Sequence, residues 1–176
     1  MSRKNGQARA TIPTTDRAVL AVGGRFLAYF VAFAGVISVI AAKGGFDWLT
    51  LGLAKTSISL IAFTGVNAVR SGNLIELPNR ILSIDLACTA IFIVALFGAL
   101  VLAYPVNPRM RLMGLAAGIP LILFANVARI VAVAHVAVIS PQAFDFVHDY
   151  LFQVGMLLVS AALWAAWLAM ARRHAR

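Results

Sequence analysis

The chain has 176 residues, of which 62% are apolar and only 12% are charged, and its formal net charge is +9. A soluble domain carries about twice this share of charged residues, and a core of this size cannot hide so much apolar surface from water. The composition therefore excludes an ordinary soluble enzyme, a disordered chain and a DNA-binding module, and it indicates a protein whose solvent is a lipid bilayer.

The chain begins with a basic tail, taken as residues 1–21, which contains Arg3, Lys4, Arg9 and Arg17. A segment of this composition cannot build a core, so we expect a short flexible tail. The apolar run after it is too long for a signal peptide and shows no clear small-residue cleavage site, which favours a retained membrane anchor.

Four segments are predicted to cross the membrane: 26–42, 86–104, 112–128 and 150–171. None of them contains a charged residue. Each is close to the ~20 residues that a helix needs to cross a bilayer core of about 30 Å, given tilt and interfacial ends. The apolar character resumes after Arg129, so the third span is extended to residue 134.

Residues 48–66 are a weaker candidate for a fifth span, because Lys55 and a group of Thr and Ser residues lie in their middle. A lysine inside the bilayer costs about 2.5–3.5 kcal/mol. An interfacial or partly buried helix is therefore favoured over a fifth span.

Residues 67–85 break the pattern of long apolar runs with turn signals at 71–73 and 78–79. Short apolar runs at 74–77 and 81–84 lie on either side of the Pro78-Asn79 turn and predict a small hairpin-like element. Lipid would leave its backbone groups unpaired, so we expect this element at the surface.

The basic residues set the expected topology, because Lys and Arg flank transmembrane helices mainly on the cytoplasmic side. Most of them lie in the N-terminal tail, in the gap 105–111 and in the C-terminal tail 172–176, while the gap 135–149 has none. Four spans then put both termini in the cytoplasm and the segments 43–85 and 135–149 outside. A fifth span would force the basic N-terminus outside.

The predicted fold class is an all-α integral membrane protein of the cell (inner) membrane. It has four transmembrane helices, or five if 48–66 spans, together with an extracytoplasmic interfacial helix and a short hairpin-like segment. The lipid bilayer is the expected surrounding, and the placement of the basic residues argues against nucleic acid as a partner.

Cys88, Arg129 and His148 come from three different segments, and the topology puts all of them near the outer face. Cys88 is the one cysteine, so the chain forms no internal disulfide. It is either a small buried hydrophobe or a nucleophile whose thiolate is favoured by a helix N-terminus. Asp85, one turn earlier, opposes the thiolate unless it pairs elsewhere.

Arg129 interrupts an apolar run, where a charged residue is costly and is usually functional or paired. The alternative is an arginine that snorkels toward the outer headgroups. Asn126 lies three residues earlier and therefore on the same helix face. Pro120, about two turns further back, is predicted to kink the helix.

His148 is flanked by Asp145 and Asp149, and either carboxylate could orient its ring or raise its basicity. The alternative is a polar interfacial loop with two helix-capping acids. His135 lies at the end of a span, where an interfacial role is expected, and His174 lies in the basic C-terminal tail.

Cysteine and histidine can supply the nucleophile and the base for acyl transfer, and a guanidinium is a suitable partner for the oxyanion. The sequence has no C-x-x-C pair, no cluster with metal-ligand spacing and no glycine-rich phosphate loop. We therefore expect no metal and no other cofactor.

Four ordered blocks around these residues resemble the exosortase/archaeosortase family. The blocks are V-R-S-G-N-L-I-E-L-P (69–78), D-L-A-C-T-A (85–90), I-P-L-I-L-F-A-N-V-A-R-I (119–130) and F-V-H-D-Y (146–150). Their order and spacing match, and the likeness covers about residues 60–170. The chain is accordingly divided into a tail (1–21), an exosortase-like transmembrane domain (22–171) and a second basic tail (172–176).

The resemblance implies a multi-pass membrane cysteine peptidase or transpeptidase. Its substrates would be membrane-anchored proteins with C-terminal sorting signals, each composed of a recognition motif, a transmembrane helix and a basic tail. Cleavage would occur outside the membrane, and the acyl group could pass to an amine-bearing acceptor. Carried over by position, Cys88 is the nucleophile, Arg129 the oxyanion or substrate-positioning group and His148 the acid/base, with Asn126, Asp85 and Asp149 in support.

The chain departs from the family pattern at two positions near these residues. Many members have Gly two residues after the Cys and four residues after the His, where this chain has Ala90 and Phe152. It is also short and lacks several N-terminal spans of the larger members.

Two other function classes compete with the peptidase. A catalytically silent membrane scaffold could keep the fold, although decay would usually remove one of the three residues. A small transporter or channel subunit could use Arg129 as a pathway charge, but this leaves Cys88 and the external segment 67–85 without a role.

Overall fold

The computed structural model describes residues 15–173, except for the side chains of residues 15, 16 and 149. Most of both predicted tails, 1–14 and 174–176, lies outside the described residues. In chain order its regular elements are helix α1 (Thr15–Ala41), helix α2 (Asp47–Phe63), strands β1 (Val69–Ser71), β2 (Leu74–Leu77) and β3 (Arg80–Ser83), and helices α3 (Ile91–Ala103), α4 (Pro108–Ile139), α5 (Phe144–Phe146) and α6 (Phe152–Arg173). A 3-10 turn, Leu86–Thr89, precedes α3, and a π-helical turn, Val147–Leu151, joins α5 to α6.

Three of the described helices are long and apolar enough to cross a membrane: Arg17–Ala41, Pro108–Ile139 and Phe152–Arg173. They contain or closely match three of the four predicted spans. The first helix begins at Thr15, within the predicted tail 1–21.

The span predicted at 86–104 is divided in the structure. Its first residues form the 3-10 turn, and the 13 residues of α3 follow. At a rise of 1.5 Å per residue, α3 is about 20 Å long, which is shorter than a bilayer core of about 30 Å. Four full-length spans are therefore not confirmed. The helix predicted at 48–66 is present as α2, with 17 residues.

Residues 69–83 form a three-stranded antiparallel sheet in the order β1-β2-β3. Ser71 pairs with Leu74, and Leu77 pairs with Arg80, so the two connecting turns are those signalled by the sequence. Gly72 adopts a positive φ of 63° in the first turn, which glycine does without steric cost. The predicted hairpin is thus extended by one strand, β1, and the structure is mostly helical, consistent with the predicted all-α class, with this small sheet added.

One hydrophobic core lies under this sheet. Ile75, Leu77 and Leu82 alternate with less buried residues, so β2 and β3 each turn one face inward. The core joins the sheet to α2, α4 and α5, and its buried members are Ala54, Ile61, Ile75, Leu77, Leu82, Ile84, Cys88, Ile130, Val133, Ala134, Ala137 and Phe144. Cys88 is therefore held where the sheet meets the helices.

A second core lies between α3, α4 and α6 and includes Phe97, Ile122 and Trp167. Two glycines of α4 let α3 and α6 approach this helix closely. A Cβ at Gly118 would overlap the Phe97 ring of α3, and a Cβ at Gly114 would overlap Trp167 of α6. The Trp167 Nε1–H donates to the Met110 carbonyl at 2.9 Å, so the buried indole is satisfied.

The start of α4 follows ordinary capping chemistry. Asn107 is the N-cap, and its side-chain oxygen accepts a hydrogen bond from the Met110 amide at 2.8 Å. Pro108 follows at the first position of the helix, where its missing N–H costs nothing. Pro120 lies inside the same continuous helix of 32 residues, which carries Asn126 and Arg129.

Candidate functional site

Two local features set the position of Cys88 in the turn before α3. Asp85 is the N-cap of the turn, and its carboxylate accepts a hydrogen bond from the Cys88 amide at 3.2 Å. Ala90 ends the turn with a φ of 57°, a left-handed conformation that costs a non-glycine residue roughly 1–2 kcal/mol. This strained residue redirects the chain into α3.

The Cys88 side chain is only 5% exposed, and its thiol donates to the Ser83 carbonyl at 3.7 Å. The residue lies outside the three candidate spans. Burial raises the pKa of the Cys88 thiol and is the largest effect. A backbone hydrogen bond from Asp85 lowers this pKa, the negative charge of Asp85 raises it, and the positive charge of Arg129 lowers it. The resting thiol is therefore protonated at neutral pH, and it needs a base before it can act as a nucleophile.

Asn126 connects the turn to α4. Its side-chain NH₂ donates to the Cys88 carbonyl at 2.7 Å, and its side-chain oxygen accepts from the Arg129 guanidinium at 3.4 Å. Asn126 is 1% exposed and Arg129 is 8% exposed. Cys88, Asn126 and Arg129 thus form one buried hydrogen-bonded unit, although Cys88 and Asn126 are 38 residues apart in the chain.

The environment of Arg129 differs from that of a snorkelling arginine. Its guanidinium is turned into the protein, where one Nη donates to Asn126. Its Nε is buried and has no hydrogen-bond partner among residues 15–173. A buried donor without an acceptor is costly, so this nitrogen is positioned for a partner that the described chain does not supply.

His148 lies in the π-helical turn, as does Asp149. The His148 ring stacks on Phe144 with centroids 5.3 Å apart and an interplanar angle of 7°. Phe144 belongs to the same buried core as Cys88. His148 therefore contacts, through Phe144, the core that contains Cys88.

Arg80 contributes to this region and was not singled out by the sequence. Its guanidinium lies 4.2 Å from the centroid of the Phe144 ring and forms a salt bridge of 2.7 Å with Asp145. Asp145, one of the two acids considered for orienting His148, is thus engaged by Arg80. The only signal in the sequence was a basic residue in a segment predicted to lie outside, where such residues are less common.

Two clefts flank the Cys88–Asn126–Arg129 unit. A cleft of about 340 Å³ lies between α4 and α6, and its lining residues are Ala125, Ala128, Arg129, Ala132, Phe152, Gly155, Met156 and Val159. A second cleft of about 250 Å³ lies between α2 and α4 and includes Thr89, Asn126 and Val127 in its lining. Arg129 thus borders the first cleft and Asn126 borders the second, while neither lining includes Cys88.

The other two histidines considered in the sequence analysis are not part of this unit. The Nδ1 of His135 pairs with the Val131 carbonyl of its own helix at 2.8 Å. His174 is outside the described residues. Among the side chains that the structure describes, no three His, Cys, Asp or Glu residues are placed to hold a metal ion.

One comparison with known proteins gave a match. A family model described as transmembrane exosortase matches residues 17–168, a range that begins in α1 and ends in α6. A search of curated proteins and a search of solved structures found no match.

Proposed function

Because this chain belongs to the transmembrane exosortase family, we propose that it is a membrane-embedded cysteine peptidase or transpeptidase with Cys88 as its nucleophile. The family consists of membrane proteins that process sorting signals. The proposed substrates are exported proteins that end in a recognition motif, a transmembrane helix and a basic tail. Cleavage falls before that helix, at the outer face of the membrane.

The observation that supports this function best is the hydrogen-bonded unit of Cys88, Asn126 and Arg129. The side-chain amide of Asn126 holds both partners: its NH₂ group donates to the Cys88 carbonyl, and its oxygen accepts from the Arg129 guanidinium. A buried cation held near a thiol is suited to stabilise negative charge that develops during acyl transfer, because the surroundings exclude water. A structural cysteine in an apolar core has no need of such a neighbour.

The first half of the proposed reaction forms a thioester. His148 removes the proton from the Cys88 thiol, and the sulfur attacks the carbonyl carbon of the scissile peptide bond. The carbonyl oxygen becomes an oxyanion that the Arg129 guanidinium stabilises. The intermediate then collapses: the C–N bond breaks, and the imidazolium of His148 returns the proton to the departing amine.

The second half releases the acyl group from Cys88. Water or the amine of an acceptor attacks the thioester carbonyl, with His148 again taking the proton. The C–S bond breaks, and the thiolate recovers this proton from His148. Attack by water gives a carboxylic acid, and attack by an amine gives a new amide bond.

The test is processing of a co-expressed substrate by Cys88→Ala and Cys88→Ser variants at matched membrane levels. We expect intact membrane protein and uncut substrate from both, because a serine hydroxyl is a much weaker nucleophile unless it is strongly activated. Ala87→Ser is the matched control, since it introduces the same hydroxyl at the exposed neighbouring position of the same turn. Normal processing by Cys88→Ala would overturn the proposal, because the Cys88 thiol would then not be the nucleophile.

A further inference from the structure

The cleft between α4 and α6 includes Arg129 in its lining and has no assigned occupant. We propose that this cleft is the lateral docking site for the transmembrane helix of the substrate, with the Arg129 Nε–H donating to a peptide carbonyl just before that helix. The inference rests on the proposed function, since it assumes a membrane-anchored protein substrate. It adds the surface that receives the substrate and the direction from which the substrate enters.

The walls of the cleft favour a helix as the occupant. On α4 they consist of Ala125, Ala128 and Ala132, and the α6 side includes Gly155. Ala128 and Ala132 are four residues apart, so they form the small-xxx-small pattern that lets two helix backbones approach closely in a membrane. A Cβ added at Gly155 meets nothing within 4 Å, which shows open space on the α6 side as well.

A lipid acyl chain is a poorer fit to the same cleft. Acyl chains pack against large apolar side chains as well as against small ones, so they do not require a face of alanines. They also carry no hydrogen-bond acceptor at the depth of the hydrocarbon. The polar group in this cleft is a cation, and its partner must bring an oxygen.

Arg129 indicates where on the occupant that oxygen lies. The guanidinium uses one Nη for Asn126, while its Nε is buried and unpartnered among the described residues. The other residues that line the cleft are Ala, Gly, Val, Met and Phe and offer no side-chain acceptor. Within a helix the carbonyls are occupied by intrahelical hydrogen bonds, but the extended stretch before the helix has free carbonyls.

The position of the cleft links it to the proposed chemistry. Both α4 and α6 are candidate spans, so the cleft between them is reached from within the lipid. Phe152, at one end of the cleft, comes four residues after His148 in the chain. Arg129 connects to Cys88 through Asn126. A helix lying in this cleft would present the residues before it to the nucleophile and the base.

Disulfide cross-linking tests the docking site without requiring turnover. Cys88 is the one cysteine of the chain, so Cys88→Ala gives a cysteine-free background. Single cysteines are introduced there as Ala128→Cys, Ala132→Cys or, as the control, Val127→Cys. Val127 lies at the same depth of α4 but lines the opposite cleft, toward α2. Membranes with each variant and a substrate carrying one cysteine in its transmembrane helix are then oxidised.

We expect the substrate to cross-link to the cysteines at positions 128 and 132 and not to the one at 127. Cross-linking at 127 alone, or none at 128 and 132 in well-expressed variants, would overturn the inference. Labelling of the cleft by a photoreactive phospholipid with no substrate cross-link would also overturn it, in favour of a lipid site. Because Cys88 is absent throughout, these results are independent of whether Cys88 is the nucleophile.

A steric variant gives a second readout. In the otherwise unaltered protein, Ala132→Leu fills the cleft and should lower substrate processing about tenfold or more, which corresponds to about 1.4 kcal/mol of lost binding. Ala116→Leu, at an exposed position of α4 outside both clefts, is the control. Alkylation of Cys88 by a small thiol reagent should be equal in the two variants. Normal processing by Ala132→Leu would contradict the docking site.

Discussion

Arg129 is the residue at which the alternative roles differ most. A snorkelling arginine can be replaced by lysine, because a long stem and a positive head are sufficient. A guanidinium that donates to Asn126 and also to a reacting carbonyl cannot, because lysine presents one compact charge instead of a planar fork. We expect Arg129→Lys to insert and fold but to process substrate about 10²–10³-fold more slowly. The measurement is turnover of a co-expressed substrate at matched membrane levels.

An Asn126 variant should lose less turnover than an Arg129 variant. It touches the Cys88 carbonyl and the guanidinium, so Asn126→Ala should loosen both without removing a group that contacts the substrate. We therefore expect a milder loss of turnover than for Arg129→Lys. If Arg129→Lys processes substrate nearly as fast as the unaltered protein, Arg129 does not belong to the catalytic set.

The buried thiol of Cys88 predicts a characteristic pH dependence of alkylation. Burial and the charge of Asp85 raise the pKa of this thiol, so the reactive thiolate appears only as the pH rises above the ordinary range of a cysteine. We expect the alkylation rate of Cys88 to keep rising above about pH 8.5, where an ordinary thiol begins to level off. The rate is measured with a small neutral reagent.

Asp85→Asn separates the effect of charge from that of the helix cap. Asparagine caps a helix about as well as aspartate, so the turn should keep its geometry. Removing the negative charge should lower the pKa of the Cys88 thiol and move the alkylation profile to lower pH. An unchanged profile would mean that burial alone holds the thiol protonated.

At the scale of elements, the contact between α3 and α4 depends on Gly118. A methyl group there would overlap the Phe97 ring, which is 1% exposed and cannot move aside freely. We expect Gly118→Ala to lower the free energy of unfolding by about 1–3 kcal/mol, the usual cost of overpacking a core. Gly23→Ala in α1 is the matched control, since a Cβ there meets nothing within 4 Å. Equal thermal stability of the two variants in detergent would refute this packing argument.

At the scale of the whole molecule, Arg80 and Asp145 connect two segments that the topology assigns to the same side. Their salt bridge shows that the segments 43–85 and 135–149 meet at one end of the protein. From the distribution of Lys and Arg, we expect this end to face outward and both termini to lie in the cytoplasm. Reporter fusions after residue 108 should read cytoplasmic, and fusions near residue 142 should read external. The opposite result would put Cys88, Arg129 and His148 on the cytoplasmic side and refute cleavage at the outer face.

The sequence by itself indicated that the protein lies in a lipid bilayer. It also predicted three long apolar helices and the positions of the turns in the sheet. It also indicated Cys88, Asn126, Arg129 and His148 as the residues to examine. These features follow from local composition, since apolar length, turn residues and isolated charges act through the nearest neighbours along the chain. The resemblance to exosortases rested on four short sequence blocks in a fixed order, and the family match confirmed it.

Only the tertiary structure decided which groups meet. Asn126 bonds to the carbonyl of a residue 38 positions earlier, and Arg80 pairs with an acid 65 positions later. The division of 86–104 also depended on its surroundings: an entirely apolar stretch favours a continuous helix, but Asp85, Ala90 and the core beneath the sheet hold its first residues in a tight turn. Hydrogen bonds and packing contacts between distant segments produce no periodic pattern in the sequence from which they could be predicted. They depend on how whole elements pack together and not on the spacing of residues along the chain.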